Sequence, residues 1–294
     1  MKTSIQIGGE HALDMAFLKN LKASGFDGVD LFLKNNYLDR EDRDNMVDTI
    51  CSNLNEAGLT CAQVHLPYYG MMFSSELFDD AMEARIHYVL SIMPKLGAKW
   101  GALHAMSSTN YGFDRKRAME DNIVKLQNYL KTAEKYDVGI AVENLPVWYD
   151  VPQNAYFTSE VEDHVQLIDR LNHPLIGACW DFGHANIMGC DQFGRPVEPY
   201  YDKVKALETM GKRVKIVHAQ DNYGDYDEHH CPTIGTVEWY KLIPILLKND
   251  FPGYFSLEVE MPFKNRQMLD AYMELCGATA RALVDEIEAL EREE

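Results

Sequence analysis

The chain has 294 residues, of which 28 are Lys or Arg and 46 are Asp or Glu, so its formal net charge is −18. This acidic balance argues against non-specific binding to nucleic acid or to anionic membranes, because both are bound through excess positive charge. Hydrophobic residues make up 46% and charged residues 25% of the chain, an ordinary globular composition that excludes disorder, collagen-like repeats and coiled coil.

No segment of the sequence is typical of a targeting signal or a membrane span. The N-terminal segment has no apolar run long enough for a signal peptide, and the longest apolar stretches fall far below the ~20 residues that cross a bilayer. The 6 cysteines are scattered without a C-x-x-C pair, which favours reduced thiols over a zinc finger or a redox motif. We therefore expect a cytoplasmic protein.

Short aliphatic and β-branched runs recur about every 30–40 residues, and each is followed by a segment with helical periodicity. The predicted strands are 4–8, 28–33, 60–67, 100–106, 139–146, 176–185, 214–222 and 254–260. Strands that alternate with helices form a parallel sheet, because each crossover must return the chain to the same end. No G-x-G-x-x-G follows a strand, which weakens a dinucleotide-binding alternative. We predict the α/β class and a single-domain (β/α)8 TIM barrel over residues 1–294.

Helix signals accompany these strands. Segment 75–96 places apolar residues at helical spacing, and Ser159 with Glu162 has the form of a capping box. Glycines fit helix C-terminal positions at Gly25, Gly58, Gly97 and Gly139. A final helix over 266–294 is expected to close the barrel, with dimer contact as the alternative, so a homo-oligomer stays open. Its apolar side carries Leu269, Tyr272, Cys276, Leu283, Ile287 and Leu290.

Ionisable residues stand near the end of most predicted strands. They are His65, His104, Glu143, Asp181, His184, His218 and Glu258. Any one of them has a structural explanation, as a hydrogen-bonded histidine or as a carboxylate that caps the next helix. Together they converge on the carboxyl-terminal mouth of a barrel, where gathered carboxylates raise one another's pKa unless a cation offsets them. Asp, Glu and His are ligands of Mn, Co, Mg or Zn, so the pattern predicts a divalent metal site.

Side-chain alternation decides which carboxylates point inward. Ser256, Glu258 and Glu260 share one face of the eighth strand, so the two glutamates compete as ligands. We prefer Glu258 because it lies deeper in the strand, which leaves Glu260 at the rim.

The order of these residues resembles the xylose isomerase-like TIM-barrel superfamily. The resemblance rests on Glu143, Asp181-x-x-His184, His218, His229-x-x-Pro232-x-x-Gly235 and Glu258, and it runs from Ser4 to about Pro262. Two branches of that superfamily, the sugar isomerases and epimerases and the endonuclease IV enzymes, share this pattern. The motifs are specific to the superfamily and to no one substrate.

Each branch implies its own roles. In the epimerase branch, the residues matching Glu143, Asp181, His218 and Glu258 hold one divalent cation, the two glutamates act as acid and base, and the residue matching His184 contacts the substrate. In the endonuclease IV branch a larger set holds three zinc ions. Its additional members match His65, His104, His184, Asp227 and His229, all of which occur here. Segment 231–239, with its proline-glycine turn, departs from that branch and is similar to the sugar branch.

The hypothesis we prefer is a divalent-metal-dependent isomerase or epimerase of carbohydrate metabolism. It acts on a ketose, aldose or related polyol through an enediolate, with Glu143 and Glu258 as the catalytic residues. We expect one metal, with Mn, Co or Mg favoured over Zn, and substrate hydroxyls bound by His65, His104, His184 and His229. Aromatic loop residues suit a sugar ring: Tyr68, Tyr69, Trp148, Tyr149, Tyr156, Phe157, Tyr223 and Tyr226.

Three alternatives stay open at this point. A keto-inositol dehydratase would use much the same site. A zinc phosphodiesterase related to endonuclease IV has its ligand set present, but acidic loops such as 225–228 oppose a DNA substrate. The basic run Arg115-Lys116-Arg117 is expected to open a helix rather than to bind phosphate. A non-catalytic sugar-binding barrel is the third alternative. Expected partners are a small sugar or polyol, with no nucleic acid and no membrane.

Overall fold

The computed structural model describes residues 1–68, 80–107, 114–146, 157–187 and 202–293. Its strands are β1 (Thr3–Gly8), β2 (Gly28–Phe32), β3 (Thr60–His65), β4 (Trp100–His104), β5 (Gly139–Glu143), β6 (Ile176–Asp181), β7 (Val214–His218) and β8 (Phe255–Leu257). Its helices are α1 (Gly9–Ala12), α2 (Met15–Ala23), α3 (Asn35–Leu38), α4 (Arg43–Ala57), α5 (Asp80–Leu96), α6 (Arg115–Tyr136), α7 (Val161–Leu171), α8 (Phe182–Ile187), α9 (Lys203–Met210), α10 (Trp239–Lys248) and α11 (Arg266–Glu293).

All eight strands are parallel and lie side by side in the order β7-β6-β5-β4-β3-β2-β1-β8. A parallel bridge between Ala219 and Leu257 joins the two ends of this sheet. The Ala219 amide donates to the Ser256 carbonyl at 2.7 Å, and the Glu258 amide donates to the Ala219 carbonyl at 3.2 Å. These bonds bring the sheet to a nearly closed barrel surrounded by helices, which confirms the predicted fold class.

The hydrophobic core has two parts. The larger part lies between the outer face of the strands and the helices, and it includes Ile86, Met93 and Leu283. The smaller part is a layer of short, fully buried side chains inside the barrel, built from Ala102, Ala141, Cys179 and Ile216. Each of these lies two residues before an ionisable strand end, so alternation places the ionisable side chains directly above this layer.

The described helices agree with most local predictions. On α5 the side chains of Met82, Ile86, Val89 and Met93 are buried as the periodicity predicts, whereas Phe78 lies outside the described residues. Helix α11 packs against α10, α2 and the strands β1 and β8, which confirms that it closes the barrel. Leu290 is an exception to its predicted apolar side, because it is 51% exposed near the helix end.

Two cap predictions are wrong. Helix α7 begins at Val161 with Glu160 as its N-cap, so Ser159 does not occupy the N-cap position that the predicted capping box requires. Residues Phe157–Ser159 form a 3₁₀ turn instead, held to β5 by a hydrogen bond of 2.6 Å from the Thr158 hydroxyl to the Glu143 carbonyl. Gly139 does not end a helix, because Asp137 takes the left-handed conformation with φ 51° and Gly139 opens β5 against the Trp100 ring.

The other three glycine predictions are confirmed. Gly25, Gly58 and Gly97 follow α2, α4 and α5 with φ of 97°, 71° and 85°, a region that L residues with a Cβ rarely adopt. The predicted strands, except the first, extend beyond the observed ones at their carboxyl ends. The clearest case is β6, which ends at Asp181 because α8 begins at the next residue. No described helix is both long and apolar enough to cross a membrane.

Gly277 lets α11 approach the turn after α2. A Cβ at this position would overlap the backbone carbonyl of Ser24, which cannot move without shifting the turn. We predict that Gly277→Ala lowers the free energy of unfolding by about 1–3 kcal/mol, since overpacking outweighs the ~1 kcal/mol gained in helix propensity. Urea unfolding followed by circular dichroism measures the change. Glu274→Ala, at an exposed position of the same helix, is the control, and a more stable G277A protein would contradict the prediction.

Candidate metal and active site

The predicted site residues meet at the carboxyl-terminal mouth of the barrel. The strand register sets their level, because His104 pairs with Glu143 across β4 and β5 and Asp181 pairs with His218 across β6 and β7. Glu258 follows β8 by one residue, and His184 lies in the first turn of α8. The prediction that these strand ends converge therefore agrees with the structure.

Four side chains form the central ligand group, which is Glu143, Asp181, His218 and Glu258. Each offers one ligand atom, and the four atoms lie within 4.8 Å of one another. Glu143, Asp181 and His218 are fully buried, and Glu258 is partly buried. The His218 Nδ1 atom lies 3.2 Å from Glu143 Oε1 and 3.0 Å from Glu258 Oε2. Glu260 is exposed and outside this group, as its predicted rim position requires.

Asp181 has one carboxylate oxygen that accepts a hydrogen bond and one that accepts none among the described residues. Its Oδ1 atom accepts the His184 amide at 2.6 Å, so Asp181 does cap the first turn of α8. Its Oδ2 atom has no hydrogen-bond partner among the residues that the structure describes, although it is fully buried. A buried carboxylate oxygen without a donor is costly. The donor set and this oxygen together fit a divalent cation.

The carboxylates of the central group titrate differently because their surroundings differ. Burial raises the pKa of Asp181 to about 7, and the charges of Glu143 and Glu258 also raise it. Burial also opposes ionisation of Glu143 and Glu258, but the positive charge of His218 outweighs burial and holds the pKa of both below their usual values. At neutral pH the two glutamates are therefore ionised, whereas Asp181 is near its midpoint.

A second ligand group lies beside the first and consists of His184, Asp227 and His229. The Asp227 Oδ2 atom is 3.2 Å from His184 Nε2 and 3.1 Å from His229 Nε2. Burial opposes charge on His229, but Asp227 raises the pKa of this imidazole to about 10. His184 joins the two groups, since its Nδ1 atom lies 3.3 Å from Glu143 Oε1.

A third group contains His65, His104 and again Glu143. The Glu143 Oε2 atom is 3.4 Å from His65 Nε2 and 3.2 Å from His104 Nε2. The Tyr68 ring packs on both histidines, with centroid distances of 4.9 Å to His65 and 4.4 Å to His104. Glu143 thus belongs to the central and third groups and lies next to a histidine of the second.

Four of the histidines are held by one ring nitrogen so that the other faces a carboxylate. The acceptors are the Leu66 carbonyl for His65 Nδ1, the Asn144 carbonyl for His184 Nδ1, the Glu258 carbonyl for His229 Nδ1 and the Asp30 carboxylate for His218 Nε2. Such an arrangement fixes both the tautomer and the ring plane, and it is typical of histidines that bind metals.

Several residues around the site were not predicted from the sequence. Asp30 on β2 and Gln63 on β3 are fully buried inside the barrel, and Gln6 on β1 donates to Glu258 Oε1 at 2.8 Å. Gln220, just after β7, donates to Asp227 Oδ1 at 2.5 Å. The available signal was a polar residue in the middle of an apolar strand, as in Gly28-Val-Asp-Leu-Phe32, since such a residue has to face a polar interior.

The loop after β7 is organised by a buried carboxylate. Asp221 accepts hydrogen bonds from the amides of Asn222, Thr233 and Val237 and from the Trp239 indole, at 2.9–3.0 Å. These four bonds fix the chain on both sides of residues 227–229. The proline-glycine turn of segment 231–239 therefore helps to hold in place the loop that carries Asp227 and His229 of the second ligand group.

The rim of the site carries aromatic and charged residues. Tyr223 and Tyr226 are 53% and 59% exposed, whereas Phe157 is buried and contributes no open surface. Tyr69, Trp148, Tyr149 and Tyr156 lie outside the described residues. Arg266 is bound to Asp14 and Asp270, and Arg115 opens α6 and pairs with Asp163, as expected for a helix start.

The raised pKa of Asp181 predicts that ionisation of this residue lowers the free energy of unfolding, so the stability depends on pH. A carboxyl with a higher pKa in the folded than in the unfolded chain adds stability below about pH 4, and this contribution is lost as the pH rises through about 7. We predict that, in EDTA, Asp181→Asn raises the free energy of unfolding at pH 8 and that the gain shrinks towards pH 5. Urea unfolding at both pH values measures it.

Asp221→Asn is the matched control, because an amide cannot accept the four hydrogen bonds of that equally buried carboxylate. It should lower the stability at pH 8, whereas Asp181→Asn should raise it. A D181N protein less stable than the wild type at pH 8 would refute the interpretation.

Comparison with curated proteins finds a relative in Methanocaldococcus jannaschii, an uncharacterized protein that is 26% identical over 160 residues. The match covers 53% of this chain and 50% of the relative. A second uncharacterized relative, from Sinorhizobium fredii, is 20% identical over 166 residues. The chain thus spans about half the length of the curated relatives it matches.

Solved structures resemble this one over nearly the whole chain. The apo 3-keto-D-glucoside 4-epimerase of E. coli has a TM-score of 0.73 at 18% identity and covers 96% of this chain and 99% of its own. The IOLI protein with a bound zinc atom has a TM-score of 0.70 at 15% identity and covers 98% of both chains. An AP endonuclease of family 2 from Brucella melitensis has a TM-score of 0.64 at 19% identity and covers 92% of this chain and 96% of its own.

At these identities the structural likeness shows the fold alone. The family follows from a sequence model, that of the xylose isomerase-like TIM barrel, which matches residues 18–279. This match takes in every strand end that carries a site residue, from His65 to Glu258. The chain belongs to the xylose isomerase-like TIM barrel family.

Proposed function

We propose that this protein is a divalent-metal-dependent isomerase or epimerase that acts on a sugar or a related polyol. The observation that carries the proposal is the central group, in which Glu143, Asp181, His218 and Glu258 bring four ligand atoms within 4.8 Å of one another. Its two glutamates stand at the ends of strands β5 and β8, which are separated by β6 and β7 around the barrel. A substrate above the group is therefore flanked by carboxylates.

The metal would be held by Glu143, Asp181, His218 and Glu258. When bound, such an ion would polarise neighbouring carbonyl and hydroxyl oxygens as a Lewis acid, which would acidify the hydrogen on the hydroxyl-bearing carbon next to the carbonyl. Three carboxylates and one imidazole favour Mn, Co or Mg over Zn. We propose one such ion per chain, because the other two groups offer only three ligand atoms each and one of those groups shares Glu143.

The two glutamates supply the proton transfers. Both have a pKa below its usual value, so both are ionised at neutral pH and able to act as bases. One removes the proton from the carbon next to the carbonyl, which leaves an enediolate, and a proton is then returned to the same or the neighbouring carbon. In an isomerase the same glutamate gives this proton to the neighbouring carbon, which exchanges the carbonyl position. In an epimerase the other glutamate first takes up a proton from solvent and gives it to the same carbon from the opposite side, which inverts that centre, and the first glutamate releases its proton to solvent.

The surroundings suit a neutral polyol better than an anion. The net charge is −18, and the residues following β7 include Asp225, Asp227 and Glu228. Arg266, which stands after β8, is bound to Asp14 and Asp270. The nitrogens of His65, His104, His184 and His229 that face the site suit substrate hydroxyls. The structural similarity to a 3-keto-D-glucoside 4-epimerase supports the same class of substrate.

We place the reaction in the cytoplasm. The five cysteines that the structure describes are free thiols, in agreement with a reducing compartment.

A metal phosphodiesterase is the second candidate, and a specific observation favours it. Three histidines of the second and third groups, His65, His184 and His229, are held by backbone carbonyls in the manner of metal ligands, so two more ions could bind beside the first. The similarity to an AP endonuclease of family 2 has the same implication. The negative charge of the chain opposes this candidate, because a DNA enzyme needs basic residues around its mouth.

We predict that Glu143→Gln and Glu258→Gln each lower the turnover of the true substrate by about two to four orders of magnitude, because a neutral amide cannot take a proton from carbon. A panel of ketoses and aldoses in D2O, followed by NMR, measures both product formation and deuterium uptake beside the carbonyl. Glu260→Gln is the control, since Glu260 is exposed and outside the ligand group. Retention of deuterium uptake by either variant would remove that glutamate from its role.

Metal content separates the two candidates. We predict one divalent ion per chain by elemental analysis of protein purified without chelator. His229→Gln should leave this number unchanged, whereas Asp181→Asn should abolish binding. At near-physiological salt, abasic-site DNA should be neither bound nor cut. Two or three zinc ions per chain, with fewer in H229Q and incision of abasic DNA, would reject the sugar enzyme in favour of the phosphodiesterase.

A further inference from the structure

We propose that Asp30 is a positioning residue that fixes the imidazole of His218 with Nδ1 towards the central ligand group. The inference rests on the metal site of the proposed function and adds to it a residue from the opposite part of the barrel. Asp30 stands in the middle of β2, is fully buried and belongs to none of the three ligand groups.

The geometry of His218 assigns a separate task to each of its ring nitrogens. The Nε2 atom lies 3.1 Å from Asp30 Oδ2, whereas the Nδ1 atom lies 3.2 Å from Glu143 Oε1 and 3.0 Å from Glu258 Oε2. A neutral imidazole carries one proton, and a carboxylate partner can only accept it. Without a metal His218 is positively charged and carries a proton on each nitrogen; an ion in the central group would take the place of the Nδ1 proton. With Nε2–H donated to Asp30, the lone pair of Nδ1 would then face that ion, which is the tautomer that a metal requires.

Asp30 is itself held in place. The Gln63 side-chain amide donates to Asp30 Oδ2 at 2.9 Å and to the Val217 carbonyl at 3.2 Å, so it ties the carboxylate to the backbone next to His218. Among the described residues, His218 is the one ion-pair partner of Asp30. Burying a carboxylate that has a single charged partner costs free energy, which argues for a role that a neutral residue would not perform.

The other three histidines with a fixed tautomer differ from His218 in this respect. His65, His184 and His229 donate to neutral backbone carbonyls, whereas His218 donates to a charged group. A carboxylate partner increases the electron density of the imidazole and strengthens its bond to a metal. The charged acceptor Asp30 thus contacts His218, the histidine of the central group. None of the described histidines that belong only to the other groups donates to Asp30.

The test is a metal titration of two variants. Chelator-treated wild type, Asp30→Asn and Asp30→Ala are titrated with Mn²⁺ and Zn²⁺ by calorimetry. Asn keeps an acceptor oxygen but loses the charge, so it should weaken binding about 10-fold, whereas Ala loses both and should weaken it about 100-fold. In zinc-loaded protein, ¹⁵N-histidine spectra should show the Nε2 proton of His218 protected from exchange with water in the wild type, because Asp30 accepts it, and exchanging faster in D30A.

Asp27→Asn is the matched control. Asp27 immediately precedes the same strand at the other end of the barrel and pairs with Arg281 at 2.6 Å, so its loss lowers thermal stability without touching the site. It should leave both metal affinities unchanged. If wild-type protein binds metal and D30A binds it equally well, the inference fails and the proposed function stands. If wild-type protein binds neither metal, both fail together.

Discussion

The carboxylate of Glu143 is the interaction on which the rest of the site depends. It is fully buried at the end of β5, and imidazoles of four histidines lie within 3.4 Å of its two oxygens. A negative charge in this position needs positive charge around it, either protons on the imidazoles or a cation. Each of the three ligand groups contains either this side chain or a histidine that contacts it. A proton or a cation gained by one group therefore changes the charge that the other groups have to offset.

The barrel made much of this arrangement predictable from sequence. Eight strands could be located by periodicity, and parallel strands bring their carboxyl ends to one mouth, so residues far apart in the chain could be placed together without knowing any distance. Strand lengths were less predictable. Asp181 ends β6 because its side chain caps α8. This local hydrogen bond competes with extension of the strand, and the hydrophobic pattern of the sequence does not reveal it.

The residues that the sequence did not reveal act from inside the barrel. Asp30 and Gln63 look like isolated polar substitutions in apolar strands, and their meaning depends on which side chain lies across the interior. The contact of Asp30 with His218 joins β2 to β7, strands that are not neighbours in the sheet, so strand order alone does not predict it. The layer of Ala102, Ala141, Cys179 and Ile216 inside the same barrel is apolar, in contrast to Asp30 and Gln63.

The seam between β7 and β8 has a consequence for how the chain folds. β8 has three residues and meets β7 at a single bridge, yet His218 and Glu258 stand on its two sides. β8 also pairs with β1, where Thr3 meets Phe255, a contact of very long sequence separation that is costly in loop entropy and forms slowly. The ligand set is therefore complete only after the two ends of the sheet have met, so the unfolded chain has no preformed site. An ion that binds here stabilises only the closed barrel, because the open chain lacks the complete ligand set. It therefore opposes local opening of the seam between β7 and β8.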